Sequence, residues 1–182
     1  MSVIRATDRL FFAAIPDQAT AAQIAEVRED LCEACGLTGK PIAAEQLHVT
    51  LWHVGDSLLA PSTDVIDKLV DRAGRVEMPP FQVAFDHAMS FNHGPVVLCG
   101  EDGVDGLKMT HEQLKTSLLA KGLRRRSAFT PHMTLLRDKR LVLKHRITPI
   151  TWQVTELVLV HSLLGQTTHK YVARIKLRKS GS

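Results

Sequence analysis

Two short segments with the pattern His-x-Thr-Leu carry the residues best suited to chemistry. The first, LHVTL, contains His48 and Thr50, and the second, PHMTL, contains His132 and Thr134. In an extended strand the side chains of residues i and i+2 point to the same face. Each segment therefore predicts a half-buried strand that presents one imidazole and one hydroxyl group together, with apolar side chains on its other face.

Two such pairs facing one cleft are suited to acid–base chemistry on an anion. A neutral imidazole accepts a proton and an imidazolium donates one, so two histidines can supply a general base and a general acid. A threonine hydroxyl can donate a hydrogen bond to a charged oxygen, as the non-bridging oxygens of a phosphodiester require. One copy alone would indicate an ordinary surface or core histidine. Two copies, one in each half of the chain, indicate a duplicated structural unit that brings equivalent residues together.

Other chemistries are less well supported by the sequence. There is no Gly-x-Ser-x-Gly elbow, no P-loop and no Gly-x-Gly-x-x-Gly segment. Metal ligation by His48 and His132 is an alternative, but no third and fourth ligand follow at recognisable spacing. His53 is the only further imidazole nearby, and strict strand alternation predicts that it points to the face opposite His48.

The hydrophobic pattern predicts an α+β fold with several strands for each helix. No low-complexity linker divides the chain, so residues 1–182 are predicted to form one domain of two packed lobes, each contributing one motif. The predicted strands are residues 9–15, 45–54, 81–91, 96–99, 151–164 and 170–177, with another at the second motif. Three helices are predicted. The first begins at Asp17 or Thr20 and ends at Gly36, and the other two span residues 61–73 and 107–121. Residues 92–95 and 137–146 are predicted to be connections.

Composition indicates a cytoplasmic protein with an anionic partner. The formal net charge is +4 and the pI is about 9.1. Three cysteines do not make a disulfide framework, and no apolar run is long enough for a membrane span or a secretory signal. Cys32 and Cys35 form a Cys-x-x-Cys, but they lie late in a predicted helix without a second ligand pair, which favours structural cysteines.

Several segments, in order along the chain, resemble the two-histidine phosphoesterases, and among them the RNA 2′,3′-cyclic phosphodiesterases long called 2′-5′ RNA ligases. These segments are RLFFAAIP at residues 9–16, the LHVTL motif, FTPHMTLLR at residues 129–137, and residues 149–162 with their ELVLV strand. The resemblance covers nearly the whole chain. One departure follows the first motif, where the family commonly has a basic residue and then an aromatic, and this chain has Trp52 and His53.

The resemblance implies a bilobal fold with two pseudo-symmetric lobes, each with an antiparallel sheet and helices, around a central cleft. It also implies metal-independent hydrolysis of an RNA 2′,3′-cyclic phosphate to a 2′-phosphate, without a cofactor. By analogy His48 is the proton donor and His132 the proton acceptor, although the near-symmetric motifs do not themselves distinguish the two. Thr50 and Thr134 would hold the phosphate oxygens.

Three further features are candidate substrate contacts. Arg137 is a candidate phosphate ligand, but strict alternation places it on the core face unless the strand ends, twists or bulges. Trp52 and Leu136 fall on the nominal cleft face, where Trp52 would stack on a base or simply pack. A basic rim for an RNA backbone, or else a solvated surface, is predicted from Arg124, Arg125, Arg126, Lys139, Arg140, Lys144 and Arg146.

The same residues are compatible with more than one function. The leading prediction is a cyclic phosphodiesterase, whose partner is an RNA or nucleotide with a 2′,3′-cyclic phosphate end, with no membrane and no evident protein partner. The reverse reaction, 2′-5′ RNA ligation, would use the same residues. A nucleotide- or RNA-binding module without turnover is less favoured, because binding alone requires no matched acid and base.

Overall fold

The protein is described from a computed structural model that covers residues 5–91, 94–119, 128–166 and 168–179. These residues form three α-helices and two four-stranded antiparallel sheets. The strands are β1 (Asp8–Ala14), β2 (Val49–Ser57), β3 (Phe81–Ser90), β4 (Pro95–Cys99), β5 (His132–Arg137), β6 (His145–Val154), β7 (Glu156–Leu163) and β8 (Thr168–Lys176). The helices are α1 (Gln18–Cys35), α2 (Thr63–Ala73) and α3 (Asp105–Leu118).

The two sheets place the two motif strands next to each other. The first sheet has the order β2-β1-β7-β8, and the second has the order β5-β4-β3-β6. Strands β2 and β5 are therefore the outer strands of their sheets, and they contact one another. Helix α3 contacts β2 and α2 contacts β8 of the first sheet, while α1 contacts β6 of the second.

One continuous core joins the two sheets. Phe12 and Leu51 from the first sheet and Phe85 and Met133 from the second belong to the same buried cluster. A smaller apolar cluster, which includes Phe11, lies on the other face of the first sheet. Strand β1 is therefore buried on both faces, as its nearly continuous apolar sequence predicts.

The ends of α1 follow from its sequence. The Asp17 carboxylate accepts a hydrogen bond from the backbone N–H of Thr20 at 2.8 Å, so Asp17 is the N-cap. Gly36 closes the helix with φ at 61°, a left-handed conformation that costs glycine little. Between the caps, Ile24 and Leu31 face the core.

Several predicted boundaries are wrong. The predicted strand 151–164 is two strands, β6 and β7, and β6 begins within the predicted charged connection. Pro149 looks like a strand breaker in the sequence, but β6 is an edge strand, where a missing backbone donor is tolerated. The predicted strand 45–54 begins as a 3₁₀ turn, Ala44–Gln46, and its β-structure starts at Val49. Residues 92 and 93 of the predicted connection, and the basic run from Lys121 to Arg126, lie outside the described residues.

No helix in the described part of the chain is long and apolar enough to cross a membrane.

Candidate active site

The structure brings both His-x-Thr motifs to one cleft between the sheets. The side chains of His48, Thr50, His132 and Thr134 all line this cleft, which has a volume of about 450 Å³. His48 directly precedes β2, and His132 is the first residue of β5. Each imidazole therefore lies where its motif strand begins, at the junction of the two lobes.

The two imidazoles are fixed by the same local hydrogen bond. Nδ1 of His48 donates to the carbonyl oxygen of Gln46 at 2.7 Å, and Nδ1 of His132 donates to that of Thr130 at 2.8 Å. A carbonyl oxygen can only accept, so Nδ1 carries a proton in both rings. Nε2 is left as the nitrogen that can accept or release a proton in the cleft.

Each imidazole also packs against a phenylalanine, which is Phe11 on β1 for His48 and Phe91, directly after β3, for His132. The ring centroids of Phe11 and His48 are 4.9 Å apart, and those of Phe91 and His132 are also 4.9 Å apart. With the backbone hydrogen bond, this contact leaves each ring little freedom to rotate. The two halves of the site, one around each motif histidine and called half-sites below, therefore hold their imidazoles in the same way. This likeness supports the duplicated unit predicted from the sequence.

Both motif strands contain a β-bulge directly after the motif threonine. The pairing of β2 with β1 skips Leu51, and the pairing of β5 with β4 skips Leu135. The carbonyl oxygens of these extra residues accept hydrogen bonds from groups outside the two sheets' strand pairs. The Leu51 carbonyl accepts from Nδ1 of His111 at 2.7 Å, and the Leu135 carbonyl accepts from the backbone N–H of Ile42 at 2.8 Å. An extra residue reverses the faces of the residues that follow it.

The bulges move Arg137 and His53 to the cleft. Both residues line it, and they occupy equivalent positions, five residues after the histidines of their motifs. The condition under which Arg137 could reach the cleft is therefore met. The prediction that His53 points away from His48 is wrong, because it assumed strict alternation. The same assumption predicted that Leu136 points into the cleft, and this is also wrong, because its side chain is fully buried in the core.

Trp52 does not line this cleft, but it lines an adjoining pocket that shares Thr50, His53 and His132 with the cleft. Only 9% of its surface is exposed, and its ring centroid lies 5.4 Å from that of His111. His111 in turn stacks on Phe129 at 4.2 Å. The packing alternative agrees with this environment, and base stacking by Trp52 in the adjoining pocket stays a prediction.

Arg9, Asp56 and His53 form an ionic network at one side of the cleft. The guanidinium of Arg9 donates two hydrogen bonds of 2.7 Å to Asp56, and Nε2 of His53 is 2.8 Å from the same carboxylate. The Arg9 guanidinium holds the pKa of the Asp56 carboxyl well below its usual range, and His53 adds to the effect. In contrast, Arg137 forms no ion pair with any side chain in the described ranges, so its charge is available to a ligand.

Burial makes His48 a weak base in the empty cleft. Loss of hydration, with smaller contributions from the nearby imidazoles of His169 and His132, lowers the pKa of His48 to about 4, although the Gln46 carbonyl opposes the shift. His48 is therefore neutral at pH 7 when no anion is bound.

Two polar residues of the cleft carry no motif that would have identified them. His169 on β8 and Ser162 on β7 line the cleft and are cross-strand partners. Ser162 falls in a segment that resembles the family, but no role follows from that resemblance alone. The signal for His169 is three-dimensional, since only the pairing of β8 with β7 brings it near His48.

The predicted basic rim is not seen at the cleft in the part of the chain that is described. Lys144 pairs with Glu101, and none of the four basic residues from Lys139 to Arg146 lines the cleft. The other three, Arg124, Arg125 and Arg126, lie outside the described residues. Within the same limits, no group of three or more His, Cys, Asp and Glu side chains is placed to hold a metal ion, and Cys32, Cys35 and Cys99 are free thiols.

Two antiparallel sheets that each present a His-x-Thr motif to one cleft define a two-histidine phosphoesterase. A sequence model of the 2′-5′ RNA ligase superfamily matches residues 15–166, and the chain belongs to this superfamily. The predicted family, the two-lobed α+β fold and the assignment to phosphodiester hydrolases are confirmed.

Similar proteins come from Escherichia coli. Its RNA 2′,3′-cyclic phosphodiesterase is 29% identical over 137 residues, which are 73% of this chain and 76% of that protein. The crystal structure of E. coli LigT in apo form has a TM-score of 0.75 at 28% identity, covering 96% of this chain and 100% of LigT. LigT complexed with 3′-AMP has a TM-score of 0.74 at 28% identity, covering 95% and 99% of the two chains.

The burial of Trp52 leads to a test of its role. Replacing Trp52 by Ala should lower the free energy of unfolding by about 3–5 kcal/mol, because it removes a large buried side chain. Urea denaturation measures this change. Leu143→Ala, at a residue that is 84% exposed, is the control and should change the stability by less than about 0.5 kcal/mol. Near-normal stability of Trp52→Ala with weakened nucleotide binding would instead support base stacking.

Proposed function

We propose that the protein hydrolyses an RNA-terminal 2′,3′-cyclic phosphate to a 2′-phosphate by acid–base catalysis that requires no metal ion. The observation that carries the proposal is the pair of matched imidazoles in one cleft, each with Nδ1 bonded to a backbone carbonyl. The names of the E. coli relatives, a cyclic phosphodiesterase and a protein solved with 3′-AMP, support this class of substrate.

In the proposed reaction, each histidine moves one proton. His132 takes a proton from a water molecule as its oxygen attacks phosphorus, and His48 gives a proton to the 3′ oxygen as the bond from phosphorus to that oxygen breaks. The phosphate stays on the 2′ oxygen. Thr50 and Thr134 donate hydrogen bonds to the non-bridging oxygens, and Arg137 balances the charge that develops on them.

The assignment of His48 as the acid depends on the substrate. In the empty cleft burial lowers the pKa of His48 to about 4, which on its own would suit a base. A bound phosphodiester places a negative charge beside the ring, and an opposite charge within about 4–6 Å favours the protonated form. The proposal therefore includes a linkage in which the anion and the proton of His48 bind together.

RNA ligation is the second candidate function, and the name of the 2′-5′ RNA ligase superfamily favours it. Ligation would be the same reaction in reverse, with the 5′ hydroxyl of another RNA in place of water. Hydrolysis is preferred here because the curated relative is named for it. We place the reaction in the cytoplasm, as the free thiols suggest, and within a single two-lobed domain of residues 1–182, as the shared core suggests.

A short RNA with a terminal 2′,3′-cyclic phosphate tests the proposed function directly. The expected product is a 2′-phosphate, and its formation should continue after exhaustive chelation. His48→Ala or His132→Ala should each lower kcat by roughly 10²–10⁴-fold, and the double variant should lose far less than the product of the two effects. His145→Ala, at an exposed histidine outside the cleft, is the matched control. Loss of activity on chelation, with recovery on adding one divalent ion, would contradict the metal-free mechanism.

A substrate with a better leaving group separates the two roles. A nitrophenyl phosphodiester releases an anion that needs no proton, so the loss of the acid should be largely rescued and the loss of the base should not. We expect rescue for His48→Ala and none for His132→Ala, measured as kcat on the two substrates. The opposite pattern would exchange the roles, and rescue of neither variant would limit both histidines to phosphate binding.

The linkage at His48 can be measured without turnover. Histidine NMR titration should give a midpoint for His48 far below the ordinary 6.5 in the empty protein, consistent with its pKa of about 4. Saturating inorganic phosphate should raise this midpoint, because the protonated ring binds the anion more tightly than the neutral ring does. His145 should not shift. A His48 midpoint that ignores phosphate, in a protein that still cleaves the substrate, would argue against His48 as the acid.

A further inference from the structure

A third imidazole lies beside one of the two motif histidines. His169 on β8 is half-buried and lines the cleft. Its ring centroid is 5.3 Å from that of His48, with the two planes at 71°. It also contacts Phe11 edge-on at 5.7 Å, so His48, Phe11 and His169 form a cluster of three rings.

This ring is a difference in the direct surroundings of two imidazoles that are otherwise held in the same way. Both motif histidines bond a carbonyl through Nδ1, and both pack on a phenylalanine at 4.9 Å. In the described part of the chain, His132 has the ring of Phe91 as its one aromatic neighbour, whereas His48 has both Phe11 and His169. The asymmetry comes from β8, which has no counterpart motif in the sequence.

The scaffold does not account for an imidazole at position 169. The other seven histidines for which contacts are described all have a hydrogen-bond partner for a ring nitrogen. His169 has none among the described residues, although half-buried polar rings usually find one. A phenylalanine would make the same edge-on contacts, so packing alone does not explain the choice of a titratable ring.

We propose that His169 is a positioning residue that makes His48 chemically different from His132, by closing one flank of its ring to water and by opposing a second positive charge beside it. His169 acts through His48, and no contact with the reacting atoms is required of it. The acid and base roles that two nearly symmetric motifs leave undecided are then assigned by a residue outside both motifs.

The electrostatics of the cleft agree with this role. Two cationic rings with centroids 5.3 Å apart would repel each other in a site with little water, so the pair binds its first proton much more readily than its second. The other charged or titratable groups that line the cleft are His53, His132, Arg137 and Arg9 with its partner Asp56. Only Asp56 is acidic, and Arg9 already neutralises it, so no described group in the cleft offers the pair a free negative charge.

A consequence for turnover rests on the proposed function. With His169 in place, His48 stays neutral until an anion enters the cleft, so protonated His48 and bound substrate occur together. Without His169, His48 would be protonated over a wider pH range in the empty protein. The acid would then depend less on the phosphodiester for its proton.

The test compares His169→Ala, which removes the ring, with His169→Phe, which keeps the ring and removes its charge. His145→Ala is the control at an exposed histidine outside the cleft. The NMR titration midpoint of His48 in the empty protein should rise by about one pH unit in His169→Ala and by less in His169→Phe. A midpoint that is unchanged in His169→Ala, or raised equally in both variants, would overturn the proposal.

The kinetic arm separates this proposal from the proposed function. In His169→Ala the limb of the kcat/KM pH profile that belongs to His48 should move to higher pH, while a purely structural role would lower the rate at every pH. If no variant or wild-type protein cleaves the cyclic phosphate, the proposed function fails, and the NMR result still decides the role of His169. If cleavage occurs and the His48 limb does not move, the role of His169 is wrong and the function stands.

Discussion

The site depends on two backbone irregularities, the β-bulges at Leu51 and Leu135. Regular alternation after each motif would direct Trp52 and Leu136 into the cleft and turn His53 and Arg137 towards the core. One extra residue directly after each motif reverses this order, so the cleft receives polar side chains and the core receives apolar ones. The free carbonyl of each bulge is satisfied by a donor from a different element, His111 on α3 for Leu51 and the segment before the first motif for Leu135. The bulges are therefore held by tertiary structure as well as by the strands.

The two half-sites are alike because each is built from the same motif. They differ in the residues that surround the motif. Each motif supplies an imidazole whose tautomer is fixed by a backbone carbonyl, a hydroxyl two residues later and a polar side chain beyond the bulge. At that last position the first strand has His53, tied to the Arg9–Asp56 pair, and the second has Arg137 with its charge available. The cationic side chain without an ion pair thus lies on one side of the cleft, and the additional imidazole of His169 lies on the other, beside His48. A reaction that needs one acid and one base needs this kind of inequality.

Much of the architecture could be predicted from the sequence because it follows local patterns. The periodicity of apolar residues predicted α1 and the buried strand β1, and residue types predicted Asp17 or Thr20 as the start of α1 and Gly36 as its end. The repeated His-x-Thr pattern predicted which residues share the cleft. The failures come from tertiary context. Alternation alone does not reveal a bulge, so His53 and Leu136 were assigned to the wrong faces. Pro149 lies within an edge strand, where the sequence does not suggest one. The position of His169 beside His48 becomes visible only once β8 is paired with β7.

The order of strands in the first sheet also bears on how the protein is made. The second sheet uses β3 to β6, which are consecutive in the chain, so it can be completed while later residues are still being synthesised. The first sheet places β1 between β2 and β7, with β8 at its edge. Strands β1 and β2 are therefore synthesised first, but their sheet is complete only after β7 and β8 have been synthesised. His48 leaves the ribosome early, but the neighbour that shields it arrives with the last strand. An unfinished chain can therefore display a motif histidine that is still open to water, and its chemical character is set only when synthesis of β8 is complete.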